Sequence, residues 1–170
     1  MNTVVLIGLP ASGKSTVGRA LAEILNYVHI DLDIDVERKY AARQNEHKNC
    51  RQIVQQHGEL YFRGLEYSCL KDLQTGQTIL SVGGGTATHG PSRPVLREKG
   101  PLVYLHACRE LLRERLEASW PASFSKNNWS ELYQKRHALY ADIADFQVKT
   151  DGLGIAEIVD EIRGILAHGK

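Results

Sequence analysis

The amino-acid sequence predicts an α/β protein, a three-layer sandwich in which a five-stranded parallel sheet lies between two layers of helices. Two observations carry this prediction. Short apolar runs alternate with longer amphipathic stretches, and strands that alternate with helices form mainly parallel sheets covered on both faces. A glycine-rich phosphate-binding motif also joins the first predicted strand to the first predicted helix. The length of 170 residues and the apolar fraction of 42% fit one domain, residues 1–170.

Five short runs rich in apolar and β-branched residues are the predicted strands. They are residues 3–7, 27–31, 78–82, 102–105 and 146–149. In open parallel sheets, ligands bind at the carboxyl ends of the strands. Polar or glycine-rich segments follow the first three of these runs, so we expect the functional site there.

Six stretches with apolar residues at helical spacing are the predicted helices. They are residues 14–25, 33–41, 50–74 with an interruption at Gly58, 110–118, 130–143 and 155–166. The least regular segment is residues 118–128, which is polar around two aromatic side chains. We expect this segment to be a surface loop or lid.

Charge and cysteine content narrow the classes of function. The net charge of +1 gives no global attraction to nucleic acid or to an acidic membrane, so neither is an expected partner. The three cysteines, Cys50, Cys69 and Cys108, are widely spaced and form no C-x-x-C pair. This spacing favours a reducing compartment over a disulfide framework or a zinc site. No export signal or membrane-spanning stretch is visible, and we expect a cytoplasmic protein.

The most specific motif is the stretch G-L-P-A-S-G-K-S at residues 8–15, which fits the phosphate-binding pattern G-x-x-x-x-G-K-[ST]. Its glycines let backbone N–H groups point at phosphate oxygens, and the N-terminus of the following helix adds its dipole. Lys14 would reach the β- and γ-phosphates of ATP, and the hydroxyl of Ser15 would ligate Mg²⁺. The alternative is a Gly/Pro turn before an ordinary helix.

Two carboxylates, Asp31 and Asp33, follow the second predicted strand and lie on one side of the extended chain. One carboxylate near Mg²⁺ can hold the ion, and the other can orient an acceptor hydroxyl or accept its proton. The alternative for either residue alone is a helix N-cap, although a cap does not need both.

Two arginines in helical stretches and one glycine triplet complete the set of candidate residues. Arg63 lies between Phe62 and Leu65, and Arg136 lies in the fifth predicted helix. Arginine can grip a carboxylate through two parallel hydrogen bonds, although a solvated helix face is the simpler alternative. The triplet at residues 83–85 directly follows a strand and is typical of a place where a ligand meets bare backbone.

Together these residues resemble the shikimate kinase family, and the resemblance covers the chain from Val4 to about Leu166. It implies a nucleoside-monophosphate-kinase-like fold. It also implies ATP-dependent phosphorylation of shikimate at the 3-hydroxyl, which gives shikimate 3-phosphate in chorismate and aromatic amino-acid biosynthesis. Mg²⁺ is the implied cofactor, ATP and shikimate are the implied partners, and we expect a monomer.

The resemblance assigns a role to each candidate residue. The implied ATP-binding residues are Gly8, Ala11, Ser12, Gly13, Lys14, Ser15, Thr16 and Arg113. The implied shikimate-binding residues are Asp33, Arg63, Gly83, Gly84, Gly85 and Arg136, with an acceptor-binding region at about residues 33–63. Lys14 and Asp33 are the implied catalytic residues, and Ser15 and Asp31 are the implied metal ligands.

The sequence departs from the family pattern in two places. The family's lid carries Arg-Pro, whereas here Trp120 precedes the proline, and Lys126 is the candidate to replace the missing charge. The stretch between Asp33 and Arg63 is also longer than usual and includes residues 43–49. Two alternatives therefore stay open: a kinase for another small polar acceptor, and a binding protein without turnover. A regulatory GTPase is disfavoured because the chain has no N-K-x-D motif.

Overall fold

The computed structural model describes residues 3–74, 76–117, 120 and 126–168. Its five strands are β1 (Thr3–Ile7), β2 (Val28–Asp31), β3 (Thr78–Ser81), β4 (Leu102–His106) and β5 (Phe146–Lys149). They form one sheet in the order β2-β3-β1-β4-β5, and every neighbouring pair is parallel. The predicted five-stranded parallel sheet is confirmed.

Eight α-helices connect and flank these strands in the described part of the chain. They are α1 (Lys14–Leu25), α2 (Leu32–Gln44), α3 (Cys50–His57), α4 (Glu59–Asp72), α5 (Ser92–Lys99), α6 (Arg109–Leu116), α7 (Trp129–Ile143) and α8 (Ile155–His168). Short 3₁₀ turns occur at Thr86–Thr88 and Lys126–Asn128. Among the described helices, none is long and apolar enough to span a bilayer.

The boundary at Gly58 was predicted from the sequence, whereas the helix α5 was not. The predicted interruption at Gly58 is confirmed, since its φ of +84° ends α3 and starts α4. In contrast, α5 was not predicted. It buries only Ser92 and Leu96, which is too few residues to show a helical period. It also contains Pro94, which a helix tolerates in its first turn because the missing N–H has no partner there.

The core consists of two apolar clusters, one on each face of the sheet. Alternate residues of β1 point to opposite faces, as the period of a strand requires. Val4 and Leu6 pack with α1 and α8, whereas Val5 and Ile7 pack with the helices of the other layer, which include α2, α4 and α7. The predicted three-layer sandwich is therefore confirmed.

The sheet register brings three strand ends together. Asp31 at the end of β2 pairs with Ser81 at the end of β3, and Ser81 pairs with Leu6 near the end of β1. The phosphate-binding motif, Asp33 and the glycine triplet each begin within two residues of one of these ends. The fold thus places all three predicted site segments at one edge of the sheet.

Candidate active site

The loop between β1 and α1 has the backbone shape that the phosphate-binding motif requires. Gly8 and Gly13 have φ values of +152° and +90°, which side-chain-bearing residues rarely adopt. A Cβ at Gly8 would also lie 2.7 Å from the carbonyl oxygen of Leu105. Gly13 is the residue before α1, so the free N–H groups of the helix's first turn open toward the loop.

Lys14 is buried beneath this loop. Its ammonium group donates to the carbonyl oxygen of Leu9 at 2.8 Å, which holds the side chain along the inner side of the loop. Burial lowers the pKa of Lys14 to about 8, and the carboxylates of Asp33 and Asp31 only partly oppose this effect. A phosphate anion beside the amine would favour its charged form, so the site is prepared for an anionic ligand.

Asp31 links the phosphate-binding loop to α2. One carboxylate oxygen accepts the hydroxyl of Ser15 at 2.6 Å, and the other accepts the backbone N–H of Asp33 at 3.1 Å. Asp31 is therefore the N-cap of α2, as the simpler interpretation held, and it also faces the loop. Ser15 and Asp31 present two oxygen ligands of the kind that Mg²⁺ prefers. Within the described residues, no group of three or more His, Cys, Asp or Glu could hold a metal, so phosphates and water would have to complete this site.

Asp33 lies beside a buried ionic network on α4. Glu66 is only 1% exposed, and one of its carboxylate oxygens accepts the hydroxyl of Thr86 at 2.7 Å. Its other oxygen pairs with Arg63, which also donates to Glu59 at 3.1 Å. Burial raises the pKa of Asp33 to about 6, and the neighbouring Glu66 adds to this effect. Asp33 is therefore a carboxylate that holds a proton more readily than usual.

The glycine triplet is closely surrounded by side chains of the site. A Cβ at Gly83 would lie 2.6 Å from a carboxylate oxygen of Glu66 and 2.8 Å from one of Asp33. At Gly84 it would lie 2.5 Å from the ring of Pro10, and at Gly85 it would overlap the guanidinium of Arg63. The triplet was predicted to leave room for a ligand. In the structure, the missing side chains of the triplet also leave room for Asp33, Arg63 and Glu66.

Arg136 and Tyr140 fix α7 to this triplet. Arg136 donates to the carbonyl oxygen of Gly84 at 2.8 Å, and the hydroxyl of Tyr140 donates to the same oxygen at 2.5 Å. The side chains of Arg63 and Arg136 are both almost fully buried, at 9% and 8% residue exposure. The alternative of a solvated helix face is therefore wrong for both arginines.

A single cavity of about 470 Å³ joins these groups. Among the predicted site residues, its walls include Ala11, Gly13, Lys14, Ser15, Thr16, Asp31, Asp33, Arg63, Gly83, Gly84, Gly85 and Arg136. Gly8 and Ser12 shape the loop from behind and are not among the lining residues. The cavity therefore has a phosphate-binding wall and a wall of buried charges, as a kinase for a small molecule requires.

Comparison with known proteins agrees with this geometry. A family model for shikimate kinase matches residues 10–167. The chain belongs to the shikimate kinase family. It is 33% identical over 168 residues to the shikimate kinase of Persephonella marina, covering 96% of this chain and 98% of that one. It is 35% identical over 167 residues to the enzyme of Corynebacterium diphtheriae, covering 96% and 93% of the two chains.

A solved structure is similar over the whole chain. The shikimate kinase of Acinetobacter baumannii in complex with shikimate has a TM-score of 0.89 and 28% identity, and the match covers 100% of this chain and 95% of that one. The nucleoside-monophosphate-kinase-like fold that the resemblance implied is thus confirmed.

Two arginines of α6 are candidates for the nucleotide side of the site. Arg113 was the expected adenine-side residue, and the structure places it on an exposed face of the helix. Arg115, two residues later, donates to the carbonyl oxygen of Ala11 in the phosphate-binding loop at 3.1 Å. The role of Arg113 remains a prediction, and Arg115 is a second candidate that the sequence did not single out.

Most of the predicted lid lies outside the described residues. This holds for residues 118–119 and 121–125 and for the side chain of Lys126, so the substitution of Lys126 for the lid arginine stays a prediction. Trp120 is half-buried, and its ring meets that of Trp129 edge to face with centroids 5.5 Å apart. The position that departs from the family pattern thus makes an aromatic contact with the start of α7.

Several lining residues were not among the site residues predicted individually, although most of them lie within the predicted motif or acceptor-binding region. They are Pro10, Cys50, Arg51, Val54, Phe62, Glu66 and Val82. Cys50, Arg51 and Val54 belong to α3, which directly follows the longer segment at residues 43–49. The predicted acceptor-binding region at about residues 33–63 contains α3, although none of these three residues was singled out within it.

Proposed function

We propose that this protein transfers the γ-phosphoryl group of ATP to the 3-hydroxyl of shikimate and so forms shikimate 3-phosphate. The observation that carries the proposal is the composition of the cavity. The phosphate-binding loop forms one wall, and two buried arginines with one carboxylate face it. Family membership supports the same reaction, as does the likeness to a kinase solved with shikimate.

The part of the cavity lined by Asp33, Arg63, Arg136 and the glycine triplet is the acceptor half. It suits a ligand that has both a carboxylate and hydroxyl groups. Arg63 and Arg136 provide planar donor groups that can each bind a carboxylate through two hydrogen bonds. Asp33 lines the same cavity, close enough to Lys14 and Arg63 for their charges to act on it, and its carboxylate can accept a hydrogen bond from a ligand hydroxyl. A carboxylated polyol such as shikimate satisfies both kinds of group at once.

The proposed reaction is an in-line displacement. The oxygen of the acceptor hydroxyl forms a bond to the γ-phosphorus, and the bond from that phosphorus to the β,γ-bridging oxygen breaks, which releases ADP. Asp33 orients the hydroxyl and accepts its proton. Because the transition state is loose, catalysis depends on positioning and on neutralising charge, and Lys14 supplies part of that charge.

Ser15 and Asp31 would hold Mg²⁺ beside the phosphates, and the ion would neutralise phosphate charge there. Their own roles can be stated from the structure. Ser15 presents its hydroxyl at the start of α1, and Asp31 fixes that hydroxyl through a 2.6 Å hydrogen bond. The same Asp31 caps α2, so the loop and the start of the acceptor half are held in one arrangement.

Two further features fit this setting. The three cysteines are all free thiols, which suits the reducing cytoplasm where we place the reaction. The phosphate-binding loop, Asp33 and both buried arginines line one cavity, so the proposed site needs no residue from a partner and we propose that a monomer is active. The alternative of a binding protein without turnover has less support, because Lys14 and Asp33 both stand in one cavity.

A coupled assay of ADP release with MgATP and shikimate tests this function. We expect shikimate-dependent turnover and almost none with other polyols or sugar acids. Lys14→Met should abolish turnover without unfolding the protein, whereas Lys149→Met should not change it, since Lys149 is exposed on the edge strand β5. Turnover with a different acceptor would keep the kinase and reject shikimate, and normal turnover by Lys14→Met would reject the mechanism.

A further inference from the structure

Arg51 is a cation of the cavity that the proposed reaction does not yet use. It is the second residue of α3, it is exposed, and it lines the same cavity as the phosphate-binding loop and Asp33. The cavity walls hold four cationic side chains, namely Lys14, Arg51, Arg63 and Arg136. Arg51 is therefore one of four groups that could meet an anion there.

The other three cations already have partners. Lys14 donates to the carbonyl of Leu9, Arg136 to that of Gly84, and Arg63 is paired with Glu66. Across residues 3–74, 76–117, 120 and 126–168, Arg51 makes no hydrogen bond or ion pair. Its five N–H donors are thus available to a ligand.

The backbone of Arg51 is nevertheless held in place from both sides. Asn49 and Gln52 form a capping box, in which each side chain accepts the other's backbone N–H at 2.9 Å. The N–H of Cys50 donates to Glu37 on α2 at 2.9 Å, and the thiol of Cys50 lies 3.5 Å from the carbonyl oxygen of Asp33. An uncommitted side chain therefore extends from a fixed backbone next to the residue that would orient the acceptor hydroxyl.

Local helix energetics do not explain this cation. The first turn of a helix carries a partial positive charge and favours acidic side chains, and α3 has none there. An arginine at this position is unfavourable for the helix itself. Residues that conflict with their local structure are often found where a protein binds or reacts.

We propose that Arg51 contacts the phosphoryl group during its transfer from ATP to the acceptor. This inference rests on the proposed function. The phosphoryl oxygens must approach Asp33, whose carboxylate is negatively charged when it accepts the proton, and a cation on the acceptor side offsets this repulsion. An arginine that reaches a phosphoryl group in this way contributes on the order of 10³–10⁵ in rate in related enzymes.

A role on the acceptor's carboxylate is the competing possibility, and the structure disfavours it. Arg63 and Arg136 lie deep in the cavity and are almost fully buried, whereas Arg51 is exposed at its rim. Cys50 also places this part of α3 against the backbone of Asp33, the residue at the hydroxyl end of the acceptor. Arg51 is therefore better placed for the reacting end than for the carboxylate end.

Steady-state kinetics of Arg51→Ala separate the two roles. We expect kcat to fall about 10²–10³-fold while both KM values change less than threefold, and Arg51→Lys to recover part of the loss because it keeps the charge without the planar fork. Arg163→Ala is the matched control, since Arg163 is an exposed arginine on α8 outside the cavity. A raised KM for shikimate with an unchanged kcat, or no change at all, would overturn the proposal.

A binding measurement tests the role of Arg51 without any acceptor present. We would measure by calorimetry the affinity for MgADP with aluminium fluoride, which mimics a phosphoryl group in transit, and for MgADP alone. Arg51→Ala should weaken the fluoride complex at least tenfold and leave MgADP binding unchanged. If wild-type protein does not turn over shikimate, the proposed function fails, but this affinity ratio still decides the role of Arg51: equal losses for both ligands, or none, would reject it.

Discussion

The nucleotide half and the acceptor half of the cavity are built in different ways. The nucleotide half is formed mainly by one continuous segment, residues 8–16, in which backbone N–H groups and the start of α1 would contact the phosphates. The acceptor half combines side chains from α2, α3, α4, α7 and the loop after β3. The first half is a local structure, and the second exists only once the whole fold has formed.

This difference determines how each half responds to mutation. Local backbone donors cannot be removed by changing one side chain, so the nucleotide half depends on loop shape and on Lys14. The acceptor half depends on charges that support one another, since Glu66 holds both Arg63 and Thr86. A substitution in the acceptor half should therefore disturb the neighbouring charged side chains as well. It should leave the affinity for the nucleotide almost unchanged.

The largest expected effect that tests this separation is that of Asp33→Asn. The amide cannot accept the hydroxyl proton, so we expect shikimate-dependent turnover to fall about 10³-fold or more. This size is expected when an enzyme loses both a group that accepts a proton and the positioning of its substrate. MgATP affinity, measured by calorimetry, should change less than threefold.

Asp35→Asn is the matched control, because Asp35 lies on the same helix and pairs with Arg38 outside the cavity. It should retain nearly full turnover. A large loss of MgATP affinity in Asp33→Asn would show that the two halves are not separable and that Asp33 acts mainly through Lys14.

The next effect in size is that of Glu66→Gln. Removing the charge from this buried carboxylate weakens its pairing with Arg63, and we expect the KM for shikimate to rise about 10- to 100-fold, which corresponds to the loss of one or two charge-assisted hydrogen bonds. The KM for ATP should not change.

Glu59→Gln provides a close comparison, because Glu59 pairs with the same arginine but its side chain is 49% exposed. Water screens that pair, so the KM for shikimate should rise less than threefold. Equal effects of the two substitutions would mean that burial of the network does not matter for acceptor binding.

A smaller effect is expected on the nucleotide side. Arg115→Ala removes the hydrogen bond to the carbonyl of Ala11, and we expect the KM for ATP to rise about three- to tenfold, as for an exposed charged donor. Arg113→Ala is the control, and steady-state kinetics should show a smaller change. A larger rise in the KM for ATP for Arg113→Ala than for Arg115→Ala would favour Arg113 as the adenine-side residue.

The same contrast explains what the sequence could predict. The phosphate-binding loop is a contiguous motif between a strand and a helix, so its position and the start of α1 at Lys14 were predicted correctly. All five strands were also found: β1, β3 and β4 are buried runs, as a parallel sheet requires, whereas the edge strands β2 and β5 are only partly buried. The helix α5 was missed, since it buries only two residues and carries a proline.

The acceptor half was only partly predictable. Arg63 and Arg136 were candidates, but nothing local to either residue distinguishes burial in a charged cavity from exposure on a helix face. Arg51 lines the cavity and Arg115 contacts Ala11 only because the fold brings distant elements together. No periodicity or spacing in the sequence encodes such long-range pairs, so these residues appeared only in the structure.

The last expected effect concerns stability, and it again contrasts the acceptor half with the rest of the fold. Burial and the nearby Glu66 raise the pKa of Asp33 to about 6 from its ordinary value near 3.8. The folded protein therefore holds this proton at pH values where the unfolded chain has released it. As the pH rises through this window, unfolding becomes more favourable, and above about pH 6 the ionised carboxylate destabilises the ligand-free protein.

Asp33→Asn should remove this dependence. At pH 4 the two proteins should be nearly equally stable, and at pH 7 the variant should be more stable by about 1–3 kcal/mol, since a shift of one pKa unit corresponds to about 1.4 kcal/mol. Urea unfolding without nucleotide or metal would measure the difference. A variant that is less stable at pH 7, or a difference that is the same at both pH values, would mean that the acceptor half keeps its charges without a cost to folding.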